Sequence, residues 1–310
     1  MAFFFEVLVG GLLSGVMYSL VALGFVLIYK ASGVFNFAQG ALVFLAALVF
    51  AILAQQFALP FWAAFGLTLL VMIGVGIATE RVVLRPLVNQ PQISLFMATI
   101  GLAFFVEGIA QLLQLWVFHD LSPRPLSLGI ADAPIETLMA RFNVLVSSFD
   151  VFAAAIAGAL VAALAVFFNK TRIGRALRAV ADDHQAALAV GIPLQRIWAI
   201  VWAVAGFVAL VAGLLWGARN GVQFALTFVA LKALPVLILG GFESVAGAIV
   251  GGLIIGASEK LAEIYIPPVI NSAFGVSVAG LEAWFPYVLA LAFLLVRPEG
   301  LFGEKHIDRV

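Results

Sequence analysis

The chain contains no cysteine among its 310 residues. Disulfides, thiol catalysis and cysteine-ligated metals are thereby excluded. Charge is scarce as well. Only 10% of the residues are Asp, Glu, Lys or Arg, where a soluble domain carries about 25%. Sixteen basic and sixteen acidic residues cancel, and the basic ones are scattered among loops, so nucleic acid is not expected as a partner. His119, His184 and His306 lie far apart and give no ligand spacing for a metal. The sequence lacks G-x-x-x-x-G-K-[ST], H-E-x-x-H and G-x-S-x-G. No series of Asp, Glu and His threads the apolar runs in the manner of proton-coupled pumps. Nothing here points to catalysis or to a bound cofactor.

What the chain has is apolar surface. Hydrophobic residues make up 65% of it and the mean hydropathy is +1.18. A water-soluble globule cannot hide that much, so lipid is the solvent for much of this surface. The expected fold is all-α, a polytopic membrane protein read as one integral domain over 1–310. A span needs about 20 mostly apolar residues. Candidate segments are 7–29, 37–54, 61–79, 93–116, 148–168, 197–217, 225–241, 245–261 and 281–296, eight or nine membrane segments, some short enough to be half-spans or re-entrant. The first run is too long for a cleaved signal peptide and has no basic residue ahead of it, so it reads as a retained span.

Basic residues orient these segments. With residues 169–196 taken as cytoplasmic, that side carries Lys30, Arg81, Arg85, Lys170, Arg172, Arg175, Arg178, Arg196, Arg297, Lys305 and Arg309. The opposite side carries Arg124, Arg141, Arg219 and Lys260. The bias places the N-terminus outside and the C-terminus inside. The longest outer loop, 117–147, is either a connector or a docking surface for an extracytoplasmic protein. Arg219, Asn220 and Gln223 cluster on that same side.

Polar residues at membrane depth either line a pathway or bond one helix to another. Glu107, Gln111 and Gln114 fall on one helical face. An ionisable group at depth costs roughly 2.5–3.5 kcal/mol on insertion scales, so Glu107 should meet a cavity or a partner. Lys232, three residues before Pro235, is the second intramembrane charge: it either snorkels to the outer end of its segment or pairs with Glu107, which would make both cheaper to insert. Two short Gly/Ser-rich breaks echo one another. One, at residues 30–40, holds Asn36 and Gln39. The other, at 240–247, holds Glu243 and Ser244. They are either broken helices of the kind that flank a midplane substrate site or ordinary tight turns. Gly247 with Gly251, and Gly252 with Gly256, have the small-xxx-small spacing of closely packed helices.

Residues 169–196 concentrate five basic residues between two apolar runs. Arg172, Arg175 and Arg178 recur every three residues, roughly one helical face. Asp182 and Asp183 follow, and Gly191-Ile192-Pro193 stops the helix. The segment is an interfacial helix on lipid phosphates or a surface for a protein partner.

Within it, Gln185-Ala186-Ala187 with Gly191 resembles the EAA-x-x-x-G signature of ABC-importer permeases, with Gln in place of Glu and without the I-x-L-P continuation at its usual spacing. The match to LivH-type branched-chain amino-acid permeases is wider. It comprises residues 8–24, Asn36-Phe37-Ala38-Gln39-Gly40, the run Thr171-Arg172-Ile173-Gly174-Arg175-Ala176-Leu177-Arg178-Ala179, the glycines from Gly240 to Gly252, and Arg297-Pro298-Glu299-Gly300-Leu301-Phe302-Gly303.

The resemblance implies a permease of the bacterial inner membrane, paired with a second LivM-like permease. It also implies two cytoplasmic ABC ATPases and a periplasmic substrate-binding protein. The cytoplasmic loop 169–196 would be the coupling helix, with Arg175, Arg178, Asp182, Gln185, Ala186, Ala187 and Gly191 facing the ATPase. Candidate pathway residues are Asn36, Gln39, Glu107, Gln111, Lys232 and Glu243. The implied substrates are branched-chain or other hydrophobic amino acids, with urea, amides or other amino acids as alternatives. A stand-alone small-solute channel or carrier is the competing class.

Overall fold

The structure is a computed structural model that describes residues 2–33, 35–87, 90–130, 132–136, 145–182, 187, 189, 191–275 and 279–303. The described chain is helical. Its only β pairing consists of two isolated bridges, Arg124 with Val222 and Pro134 with Ser147. We number the helices α1 (Ala2–Ser32), α2 (Gln39–Ala51), α3 (Phe61–Ala78), α4 (Gln92–Phe118), α5 (Ser148–Lys170), α6 (Arg172–Asp182), α7 (Leu194–Asn220), α8 (Val229–Gly240), α9 (Val245–Phe274) and α10 (Leu281–Val296). Wide π-type turns extend α2 over Ile52–Gln56 and α3 over Thr79–Leu84, and a 3-10 turn at Phe224–Phe228 leads into α8.

Among the described residues, seven helices are long and apolar enough to cross a membrane, and Phe224–Gly240 and Leu281–Val296 are shorter apolar helices. All nine expected segments are therefore helical. Helix is the form that lets an apolar run satisfy its own backbone in lipid. Two segments run further than expected. The third continues through Glu80 and Arg85, which pair at 3.3 Å. The eighth continues through Pro267 and Pro268 to Phe274. Lys260, expected in an outer loop, is inside α9 and bonds Glu263 at 2.7 Å. Three charges close together read as the end of a span, but local pairing keeps them in the helix.

The described residues fall into two compact units. The first comprises Met1–Leu23, Gly129–Ala162 and Lys232–Val310. Its seam is the approach of α1 to α9. A methyl group placed on Gly11 would lie 2.7 Å from the Gly256 carbonyl oxygen, and one on Gly15 would meet the Gly252 carbonyl. The numbers run in opposite directions, so the two helices are antiparallel. Ser19 Oγ donates to the Ile249 carbonyl at 3.3 Å further along the same seam. The small-residue spacing on α9 is thus a packing device, matched by glycines on α1.

The second unit comprises Gly24–Leu128 and Ala163–Leu231. Helix α2 is its core, buried along nearly its whole length. Here α7 is the central partner, packing on both α2 and α3. A methyl group on Gly213 would lie 2.6 Å from the Val43 carbonyl, and one on Gly76 would lie 2.7 Å from that of Trp202. Gly40, at the start of α2, abuts the Thr227 carbonyl in the 3-10 turn.

The seam in the first unit gives a paired prediction. Gly10 and Gly11 are neighbours on α1, but a methyl on Gly10 meets nothing within 4 Å. Gly11→Ala should lower stability by about 1–3 kcal/mol through overpacking. Gly10→Ala should leave it unchanged or slightly raised, because Ala is the better helix former. Thermal melting of the detergent-solubilised protein reads the difference, and equal melting points would refute the close approach of α1 and α9.

Candidate functional site

The first break in the chain lies deep in the second unit. Helix α1 ends where Gly33, left-handed at φ 66°, donates its N–H to the Tyr29 carbonyl. The chain then turns back along α1. The ring of Phe35 stacks on that of Phe25 at 4.9 Å, and Gln39 lies against Gly24. Gly24 also faces Val208, which is near the middle of the 27-residue α7. Gln39 is therefore about 20 Å from either end of α7 at 1.5 Å per residue. Asn36 shapes the turn. Its Oδ1 accepts from the Ala38 N–H at 3.1 Å, and its Nδ2 donates to Gln39 Oε1 at 3.2 Å. Thr99 of α4 donates its hydroxyl to the Phe35 carbonyl at 2.9 Å. Asn36 and Gln39 are both fully buried, yet Gln39 Nε2 has no acceptor among the described residues. The start of α2 thus presents polar groups at membrane depth.

The second break is a different object. Gly241, Phe242 and Glu243 form a tight turn between α8 and α9, and Glu243 is exposed. Ser244 caps α9, its Oγ accepting from the Gly247 N–H at 3.0 Å. The segment after α10 folds onto this turn. Leu301 N–H donates to the Leu239 carbonyl at 2.8 Å and Phe302 N–H to that of Gly240 at 3.1 Å. The Arg297–Gly303 motif therefore satisfies the carbonyls that the end of α8 leaves open.

Lys232 does not pair with Glu107. Its Nζ bonds Glu259 Oε1 at 2.9 Å, within the first unit. Tyr18 donates its hydroxyl to the same oxygen at 3.2 Å. Sequence reasoning missed Glu259 and Tyr18. The signal present was a carboxylate three residues after Gly256, obscured because Lys260 and Glu263 made it look like a loop. Glu107 and Gln111 are half-exposed on α4 and form no hydrogen bond among the described residues. Gln114, the third member of that face, instead ties down the following loop by donating to the Ser122 carbonyl at 3.0 Å.

Helix α6 begins with a side-chain cap. Thr171 Oγ1 accepts from the Gly174 N–H at 3.0 Å and donates to the Phe167 carbonyl at 2.7 Å. Gly174 abuts the Phe168 carbonyl, which a side chain there would displace. Gly174, Leu177 and Val180 are buried, and α6 packs on α7. Arg172 and Arg175 are exposed, while Arg178 bonds Asn169 Oδ1 at 3.0 Å. Asp182 ends the helix. Gln185 and Ala186 lie outside the described residues. Ala187 is buried and its carbonyl accepts the Ile192 N–H at 3.0 Å. Gly191 turns left-handed at φ 83°.

On the other face of the second unit, Arg124 locks the loop after α4. It exchanges backbone hydrogen bonds with Val222, bonds Asp120 at 2.7 Å and covers the Phe118 ring at 4.4 Å. The Ser122 hydroxyl, with its backbone N–H and Arg124, holds the Asp120 carboxyl below the usual carboxylate range. Gln55 donates to the Pro125 carbonyl at 2.7 Å. This stretch of the loop after α4 is pinned to the ends of α2, α4 and α7.

Comparison with known proteins agrees with this architecture. The chain is 27% identical to the high-affinity branched-chain amino acid transport system permease protein BraD of Pseudomonas aeruginosa, over 99% of this chain and 98% of that protein. It is 26% identical to the corresponding permease protein LivH of Salmonella typhimurium, with the same coverage. It is 27% identical to the probable branched-chain amino acid transport permease protein LivH of Methanocaldococcus jannaschii, over 96% of this chain and 92% of that protein. Residues 7–296 match the family model described as the branched-chain amino acid transport system permease component, and the chain belongs to that family.

Proposed function

We propose that this chain is one membrane-spanning subunit of an ATP-driven importer of branched-chain or other hydrophobic amino acids in the bacterial inner membrane. The observation that carries the reading is the family match across residues 7–296, joined to a chain that lacks a nucleotide-binding loop of its own. Its partners are a second, related permease, two cytoplasmic ABC ATPases and an extracytoplasmic binding protein that delivers the substrate.

The coupling surface is the loop 169–196. Arg172 and Arg175 are exposed on α6, opposite the buried Leu177 and Val180. Arg175, Arg178, Asp182, Gln185, Ala186, Ala187 and Gly191 are the contact candidates. Within the second unit there is a continuous mechanical route from this surface. Helix α6 packs on α7, and α7 packs on α2 through backbone-close contacts at Gly213 and Val43. Movement imposed on α6 by ATPase closure is passed by α7 to the start of α2, where Asn36 and Gln39 line the pathway. Glu107, Gln111 and Lys232 are further pathway candidates. Glu243, exposed on the α8–α9 turn, is a gate candidate.

Reconstitution tests the class. The chain alone in liposomes should pass no labelled leucine. With partner permease, ATPases and binding protein it should accumulate leucine only when ATP is supplied. Flux through the chain alone, surviving ATP depletion, would support a stand-alone channel instead. In the complete complex, Gly191→Val places a β-branched residue at positive φ, which costs about 1–2 kcal/mol locally. ATP hydrolysis should persist while uptake falls at least about tenfold. Wild-type uptake by this variant would remove the loop from the coupling route.

Gln39 gives a second test that separates stability from function. Gln39→Met conserves volume and removes an unpaired buried donor, whose desolvation costs about 1–3 kcal/mol, but it also strands Asn36 Nδ2, which donates to Gln39 Oε1, so the two effects offset. The melting temperature should change little, and leucine uptake should fall by about tenfold or more. Retained uptake would take the start of α2 out of the pathway.

A further inference from the structure

Glu259 lies at the middle of α9 and is the one fully buried charge on that helix. It stands 14 residues from Val245 and 15 from Phe274, about 21 and 22 Å from the two helix ends at 1.5 Å per residue. The residue is 3% exposed. Both of its donors converge on one oxygen. Lys232 Nζ reaches Oε1 at 2.9 Å and Tyr18 Oη reaches it at 3.2 Å. Oε2 is buried and receives no hydrogen bond among the described residues. Lys232 is 34% exposed along its side chain and also sits over the Tyr18 ring at 6.0 Å. An ammonium has three donors, and Glu259 takes one of them.

A structural glue would not be built this way. A buried ion pair holds elements together economically only when the remaining lone pairs are also satisfied. Here a carboxylate oxygen at membrane depth receives no hydrogen bond among the described residues, which is the costly state. The close seam of α1 and α9 already holds those helices together through backbone contacts at Gly11, Gly15, Gly252 and Gly256. The pair therefore offers what packing does not use: a buried carboxylate oxygen that receives no hydrogen bond among the described residues and, beside it, a part-exposed cation with unspent donors.

We propose that Glu259 and Lys232 form the recognition site for the charged main chain of a zwitterionic amino acid. Tyr18 is the positioning residue that fixes Oε1. The substrate's α-ammonium donates to Glu259 Oε2, and Lys232 Nζ donates to its α-carboxylate. One internal ion pair opens into a neutral four-charge cluster, so no charge is left uncompensated at depth at any stage. Such a site selects zwitterions against sugars, ureas, simple amines and simple acids, and leaves side-chain preference to the apolar surroundings. The inference rests on the amino-acid importer reading.

The test uses the complete reconstituted transporter with binding protein in excess. ATP-dependent leucine uptake by the wild type comes first, and its absence would overturn the importer reading, whatever the variants do. Given that uptake, Glu259→Gln should reduce it at least about 30-fold, the scale on which loss of one partner of a buried charge pair is felt, with the complex still assembled. The deciding variant is the exchange Lys232→Glu with Glu259→Lys. It keeps an ion pair in place but reverses its polarity. A recognition site stays inactive after the exchange. A merely structural pair regains uptake, and that recovery would overturn the proposal. If Glu259→Gln fails to assemble, Lys232→Gln and the exchange carry the same decision. Unchanged uptake in Lys232→Gln likewise overturns it.

Discussion

The constraint on which this structure depends is that lipid offers no hydrogen bonds to an open backbone. Each place where a helix stops must be closed by the protein itself. The side chain of Asn36 closes the turn ahead of α2. Trp198 donates its indole N–H to the Ala31 carbonyl at 3.0 Å, near the end of α1. Thr171 and Ser244 cap α6 and α9. The segment after α10 reaches back to the carbonyls of Leu239 and Gly240. A tail that looks like a polar afterthought in the sequence is thus part of the helix termination of α8.

The same constraint explains the glycines. Inside lipid, apolar side chains gain little by touching one another rather than lipid tails, so association rests on close packing. Glycine lets backbones come near enough for dispersion and weak C–H contacts to accumulate. In each unit the seams run along such residues, Gly11 and Gly256 in one, Gly76 and Gly213 in the other. Peripheral helices show the converse. Much of α4 exposes large apolar side chains, including Phe104, Phe105, Leu112 and Trp116, as a lipid-facing surface should.

Much of this was legible in the sequence, and what was not has physical reasons. The nine apolar runs became helices because hydropathy measures the quantity that decides insertion. The glycine spacing on α9 announced a seam, although its partner α1 could not be named. The two polar breaks looked alike as strings, yet Asn36 and Gln39 are buried at depth while Glu243 is exposed on a turn. Depth depends on how far the chain folds back after Gly33, which no local pattern records. Lys232 was read as a charge that either snorkels or pairs with Glu107. The partner, Glu259, lies 27 residues away, inside a span that three clustered charges seemed to end. Gln185 and Ala186, the centre of the motif behind the proposed coupling loop, lie outside the described residues.

A protein that closes its backbone so consistently makes the remaining open groups informative. Gln39 Nε2 in the second unit and Glu259 Oε2 in the first are buried polar atoms without a partner among the described residues. Trp202 Nε1 and Arg124 Nε share that state, but an indole N–H is neutral and costs less to strand than a carboxylate oxygen, and the Arg124 guanidinium is already engaged by Asp120 and the Phe118 carbonyl. Gln39 and Glu259 each have one side-chain atom fixed by neighbours and the other left open. Fixing one end while leaving the other unsatisfied lowers stability and gains nothing for folding. Natural proteins break local rules in this way mainly at functional or strained sites. In a permease this is a useful arrangement. A group that folding had already satisfied would have to be stripped of its partner before it could hold a solute, whereas an open one releases free energy as the solute arrives.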